Sequence, residues 1–99
     1  MILVVGTFRV DPDRRDAARP AMAQMIAASR AEDGCLGYSY AEDLLDAGLI
    51  HVTERWSDRV ALTAHVATAH IAEWRAQWPA LGLGERDLAI YHIAEVEGF

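Results

Sequence analysis

The stretch ERWSDRVALTAHVATAH, Glu54 to His70, decides the fold, because the spacing of its apolar residues changes period within it. Up to Trp56 the chain alternates: Ile50, Val52, Glu54 and Trp56 share one parity of LIHVTERW, the pattern of a strand with one buried face. Beyond it, Ser57 can cap a helix, and Asp58 is favourable at that helix's positive end. The helix is predicted from about Asp58 to Val66. A further helical stretch follows from about Ala69 to Trp78, ending before Pro79 and the glycines Gly82 and Gly84. Glu54 is the odd member of the strand's apolar parity. A carboxylate there must reach solvent, find a partner or shift its pKa.

Working outward, CLGYSYAED precedes this strand, and the connection LLDAG marks a hairpin through Asp46 to Gly48. At the amino end ILVVGTFRV is short, β-branched and bounded by DPD, hence a strand. Ile2, Val4, Phe8 and Val10 share one of its faces. Leu3 and Val5 make the other face apolar at one end, so both sides are expected to be covered there. DPDRRDAARPAMAQMIAASRAED follows as a helix, capped by Asp11 or Asp13, with Ala18, Met22, Met25 and Ser29 forming an apolar stripe beside Ile26. Pro20 cannot donate to the carbonyl of Asp16, which predicts a bend or a later start. Gly34 is the expected left-handed residue ending this helix. RDLAIYHIAEVE closes the chain as a strand.

The order β-α-β-β-α-α-β predicts a single domain over residues 1–99, an α+β ferredoxin-like antiparallel sheet with helices on one face. The other sheet face also carries apolar groups, and a second copy packed across a two-fold axis would cover it. A chain of 99 residues buries only about two-thirds of its unfolded surface, so such pairing would add to a modest core.

Composition removes several classes of function. The net charge is −6 and no basic stripe exists, since Arg14 and Arg15 lie among Asp11, Asp13 and Asp16. Nucleic acid and anionic membrane surfaces are therefore not expected partners. No apolar run approaches the roughly 20 residues that span a bilayer. The opening MILVVG lacks a basic lead-in and is short for an export signal, so a cytoplasmic location is expected. The single cysteine, Cys35, excludes an intrachain disulfide. Phosphate-binding glycine loops, nucleophile elbows and CxxC pairs are absent.

The chemistry-bearing residues cluster around the opening stretch. His65 and His70 are five apart, about 140° on a continuous helix, whereas a helical zinc pair needs a spacing of four. A break near Thr68 could bring them together, but no carboxylate or thiol at ligand spacing completes a set, so no metal is expected. Histidine titrates near neutrality and can remove a proton at pH 7 without a cofactor. Packing at a helix end is the competing account of His65, with His70 capping the next turn. Ile71, Trp74 and Trp78 form one stripe, which is core packing for Trp78 at least, while Trp74 can flank a groove with His70. Tyr38 and Tyr40 share a strand face and offer aromatic wall plus hydroxyl. His51 and His92 lie mid-strand and suit packing or an interface.

Two segments together resemble the antibiotic biosynthesis monooxygenase family. One is SRAEDGCLGY. The other is ERWSDRVALTAHVATAHIAEW, in which Glu54, Trp56, Asp58, Ala61, Leu62, His65, Thr68 and His70 fall at the family's spacing, Thr68 standing where serine is more usual. The resemblance implies a homodimer whose sheets form an α+β barrel, with a pocket in each subunit between helices and sheet. It also implies oxidation of a small aromatic quinol or phenol by dioxygen without metal or flavin. In that reading His65 is the base or phenol-binding group and His70 the second choice, with Trp56, Trp74, Tyr38, Tyr40 and Glu54 as substrate-binding wall. The family's haem-degrading branch fits poorly: Gly6 and Thr7 occupy the region of its asparagine, His65 its tryptophan and Arg75 its histidine. A non-catalytic dimeric binding protein is the remaining alternative, since function lives in the site and not in the fold.

Overall fold

A computed structural model describes all of residues 1–99. Strand β1 (Ile2–Val10) leads through a 3₁₀ turn (Pro12–Arg14) into helix α1 (Arg15–Arg30). Strands β2 (Cys35–Glu42) and β3 (Leu49–Trp56) form the hairpin, and helices α2 (Arg59–Val66), α3 (Ala69–Ala76) and α4 (Trp78–Leu81) precede strand β4 (Leu83–His92). The sheet has the order β2-β3-β1-β4, antiparallel throughout. This is the predicted ferredoxin-like α+β arrangement. No helix is long and apolar enough to cross a membrane.

The alternation in LIHVTERW is realised: Ile50, Val52, Glu54 and Trp56 are all buried on the helix-covered face. They meet the predicted stripe of α1, Ala18, Met22, Met25 and Ser29, which is likewise buried. Cross-strand pairing lines up rows on that face. Tyr38, Glu54, Val4 and Ile90 form one row, and Tyr40, Val52, Gly6 and Leu88 the next. Helices cover these rows unevenly. Among the helices α4, a single turn, supplies most of the packing on β4, so the inner side of β4 is left partly open.

Several boundaries differ from the sequence expectation. Pro20 lies inside a continuous α1, because the carbonyl it deprives is that of Asp16, which sits in the exposed first turn where water can satisfy it. Asp11 caps the 3₁₀ turn by accepting from the Asp13 amide, and α1 itself has no side-chain cap. Asp58, not Ser57, is the cap of α2, its Oδ1 accepting from the Ala61 amide at 2.8 Å. Thr68, not His70, caps α3. Pro79 opens α4 instead of stopping the helix before it, since a proline in a first turn has no hydrogen bond to lose. Gly34 lies four residues beyond the end of α1. Its φ of +81° turns the chain into β2, and a Cβ there would sit 2.6 Å from that of Ala61.

Strand β4 begins at Leu83, earlier than predicted, because Leu83 and Gly84 pair with Val10 and Arg9, and a bulge at Glu85 and Arg86 joins them to the rest of the strand. One extra residue of β4 is accommodated where the pairing passes from Thr7–Asp87 to Arg9–Gly84. Glu85 takes φ +51° there, and its carboxylate lies 3.2 Å from Arg9 Nε. Next to the bulge β4 crosses Gly6 so closely that a Cβ would fall 1.9 Å from the Asp87 carbonyl oxygen. The bulge and that approach bend β4 and aim Arg86, Leu88 and Ile90 along the open side of the sheet.

Candidate active site

Between α2, α3 and the inner sheet face lies a cavity of about 300 Å³, open toward β4. That volume is at the lower end of the range for small-molecule sites. Its walls are largely aromatic and aliphatic, including Phe8, Tyr38, Tyr40, Trp74 and Trp78. The rings contact one another in edge-on and tilted pairs, Phe8 with Tyr40 at 5.0 Å and Tyr40 with Trp74 at 6.4 Å between centroids. Two buried groups capable of proton transfer reach this wall, His65 and Glu54.

His65 is positioned by the break the sequence suggested. Helix α2 stops at Val66, and the Thr68 hydroxyl donates to the His65 carbonyl at 2.7 Å while its oxygen caps α3 through the Ile71 amide. This joint brings the His65 and His70 rings to 6.2 Å between centroids. A carboxylate does complete the group, contrary to the sequence reading. Glu32, in the turn after α1, places Oε2 at 2.6 Å from His65 Nδ1 and 3.0 Å from His70 Nε2. These three residues meet metal-ligand proximity, their donor atoms all lying within 4.8 Å. The N···O distances are those of hydrogen bonds. A carboxylate only accepts, so each ring nitrogen facing Glu32 carries its hydrogen. With the hydrogen held at Nδ1, Nε2 is the ring nitrogen left to give or take a proton.

That nitrogen faces Glu54, with His65 Nε2 lying 3.8 Å from Glu54 Oε1. The indole N–H of Trp56 donates to the same oxygen at 3.0 Å. Burial pushes the Glu54 carboxyl above its ordinary range, against the opposing pull of the Trp56 hydrogen bond and of the charges of His65 and Arg86. Burial also raises the Tyr38 phenol far above its ordinary value and pushes Tyr40 up to about 12, so both hydroxyls stay protonated at neutral pH.

The candidate residues therefore divide. Tyr38, Tyr40, Glu54, His65 and Trp74 line the cavity together. Trp56 does not. It is fully buried behind the wall, its ring tilted against His65 at 4.6 Å between centroids, and it supports His65 and Glu54 from the rear. His70 is also off the cavity, facing a separate hollow of about 80 Å³ between α1 and α3. The positions compared with a haem site carry no imidazole toward the cavity beyond His65, whose Nδ1 is engaged by Glu32. Sequence reasoning did not single out Glu32, which lies in the segment SRAEDGCLGY but 33 positions from His65, with nothing local to mark it as that residue's partner. It also missed Arg59 and Arg86, two of three arginines on the cavity with Arg75.

A sequence model described as antibiotic biosynthesis monooxygenase matches residues 1–77, which contain Glu32, Glu54, His65 and Thr68. The chain belongs to the antibiotic biosynthesis monooxygenase family. A Mycobacterium tuberculosis member named "Putative monooxygenase Rv0793" is 38% identical over 76 residues, 77% of this chain and 74% of that protein. Its solved structure superposes with a TM-score of 0.77 at 34% identity, covering 98% of this chain and 96% of that one. A structure from Deinococcus radiodurans described as an antibiotic biosynthesis monooxygenase candidate gives a TM-score of 0.92 at 25% identity, covering 100% of this chain and 98% of that one. An uncharacterised Synechocystis protein is 32% identical over 96 residues, 97% of this chain, which spans 65% of that relative's length. The likeness to the Deinococcus structure runs through β4, past the end of the matched family segment.

Proposed function

We propose that this family member is a monooxygenase that oxidises a small aromatic quinol or phenol with dioxygen. One observation carries the reading: His65 Nε2 and the Glu54 carboxylate stand together on the wall of an aromatic cavity, and Glu32 fixes which nitrogen of His65 is free. Ground-state dioxygen is a triplet and reacts slowly with closed-shell molecules. A phenolate is a far better one-electron donor than its phenol, so removing one proton is the step a protein must supply. His65 takes that proton at Nε2, and the imidazolium is then stabilised on both sides by Glu32 and Glu54. The dry aromatic wall holds the ring and excludes water from the reduced oxygen species. Overall a phenol and dioxygen give a quinone and water: one oxygen atom enters the ring, the other leaves as water, and the substrate supplies all the electrons. No cofactor is required by this balance.

In the same reading two copies pair through the outer sheet face, where Leu3, Val5, Ala89 and Tyr91 adjoin across β1 and β4. Val5 and Tyr91 are exposed there in the single chain. Pairing would close the two half-shells into an α+β barrel.

Oxygen-electrode measurements with a panel of one- and two-ring quinols and phenols test the activity. Uptake above the uncatalysed rate, with quinone formed, supports it. Saturable binding of the same compounds without uptake would replace it with the binding-protein reading, and a Soret band on haem titration would replace it with a haem-binding one.

A further inference from the structure

All nine basic residues of the chain are arginines, and their partners sort them into two groups. Arg9, Arg14 and Arg15 hold carboxylates, Asp46 with Glu85, Asp11 and Glu42 respectively. Arg30 and Arg55 donate to the backbone carbonyls of Tyr38 and Leu36. The other four, Arg19, Arg59, Arg75 and Arg86, have neither a salt bridge nor a side-chain hydrogen bond. Three of these four lie on one feature, the mouth of the aromatic cavity. They come from three separate elements: Arg59 begins α2, Arg75 lies in the last turn of α3 and Arg86 lies in the bulge of β4.

The charge at this mouth opposes that of the molecule. The chain carries −6, yet the cavity lining holds three arginines against one carboxylate, the buried Glu54. Arg86 reaches inward electrostatically, since its charge favours the ionised forms of both Tyr40 and Glu54. A guanidinium offers planar paired donors matched to an oxyacid anion, and three converging without internal acceptors leave those donors to water or to a ligand. An acidic surface with one basic mouth also directs anions to that mouth.

We propose that the substrate of this cavity carries an anionic oxyacid group, a carboxylate or a phosphate, which Arg59, Arg75 and Arg86 hold at the mouth while its aromatic ring enters the cavity against the wall that Tyr40 and Trp74 form. This rests on the cavity being the substrate site, and it narrows the substrate from any small phenol to an acidic one. The arginines act on binding and orientation. They present the ring to His65 and Glu54 and take no part in proton removal.

The test is calorimetric titration with 1-naphthol, 1-naphthoate and 1-naphthyl phosphate, which share a ring system and differ in the anion. At low salt the wild type is expected to bind at least one anion about tenfold or more tighter than 1-naphthol, and that anion identifies the oxyacid. A triple variant, Arg59→Gln, Arg75→Gln and Arg86→Gln, should lose that preference and keep its affinity for 1-naphthol. A second triple variant of equal net charge, Arg14→Gln, Arg19→Gln and Arg55→Gln, should retain the preference. Equal binding of all three compounds, no measurable binding of either anion, or an equal loss in both triple variants would overturn the proposal. The readout is affinity, so a chain that consumes no oxygen can still pass, and one that consumes oxygen can still fail.

Discussion

His65 Nδ1 and Glu32 Oε2 stand 2.6 Å apart across 33 positions of sequence, and this contact decides which face of the imidazole is available for chemistry. If His65 is the proton acceptor, His65→Ala should lower kcat for quinol oxidation by about 100-fold or more. Glu32→Ala should lower kcat by about tenfold with little change in KM, because the ring loses its orientation while the cavity keeps its wall. Glu32→Gln retains an accepting oxygen and should recover part of that loss. Unchanged kcat in His65→Ala rejects the assignment and leaves the fold untouched.

Glu54 predicts a specific pH dependence of stability. Its carboxyl is raised in the folded chain, first by burial, so across the window above the ordinary carboxylate range the folded state binds more protons than the unfolded one. Stability from this group is therefore complete at acid pH and falls as pH rises toward the folded-state value. Glu54→Gln should gain stability relative to wild type as pH rises above the ordinary carboxylate value of about 4, read as a widening difference in Tm. A difference that stays flat above that value contradicts the burial of an ionisable group at this position.

Two tryptophans should respond differently to the same change. Trp56 donates its indole N–H to Glu54, whereas the buried Nε1 of Trp78 has no partner in the chain. Trp56→Phe removes packing and leaves a buried carboxyl short of a donor, a cost of about 2–4 kcal/mol. Trp78→Phe removes an unpaired donor and should cost about 1 kcal/mol or less. Urea denaturation of the two variants measures this, and equal losses would show that the Trp56–Glu54 bond contributes little.

At Gly6 the backbone of β4 occupies the place of a Cβ, and Gly6→Ala should destabilise the chain by about 3 kcal/mol or more, since the added carbon would meet backbone that no rotamer can move. A variant with near wild-type Tm would mean that β4 can slide outward at little cost, and the cavity's open side would then be adjustable.

The paired-copy reading makes Val5 a sensitive position. The protein should sediment as a dimer at micromolar concentration, and Val5→Arg should weaken association by about 100-fold, because a charge would be driven into an apolar contact. A wild-type chain that sediments as a monomer removes the barrel.

Much of this molecule was written locally. The alternation from Ile50 to Trp56, the stripe from Ala18 to Ser29 and the turn residues between them determined an antiparallel sheet covered by helices on one side, because burial of a face with period two or 3.6 depends only on neighbours along the chain. Glu54 announced itself in the same way, as a carboxylate on a buried parity. The spacing around Asp58, His65 and Thr68 likewise carried the family. What the sequence could not carry was the meeting of Glu32 with His65, the removal of Trp56 and His70 from the cavity wall, and the convergence of Arg59, Arg75 and Arg86. Each depends on where α2 stops, how β4 bends over Gly6 and which elements end at the same mouth. Those are properties of packing between distant segments, and contacts made across tens of residues leave no periodic trace in the chain that makes them.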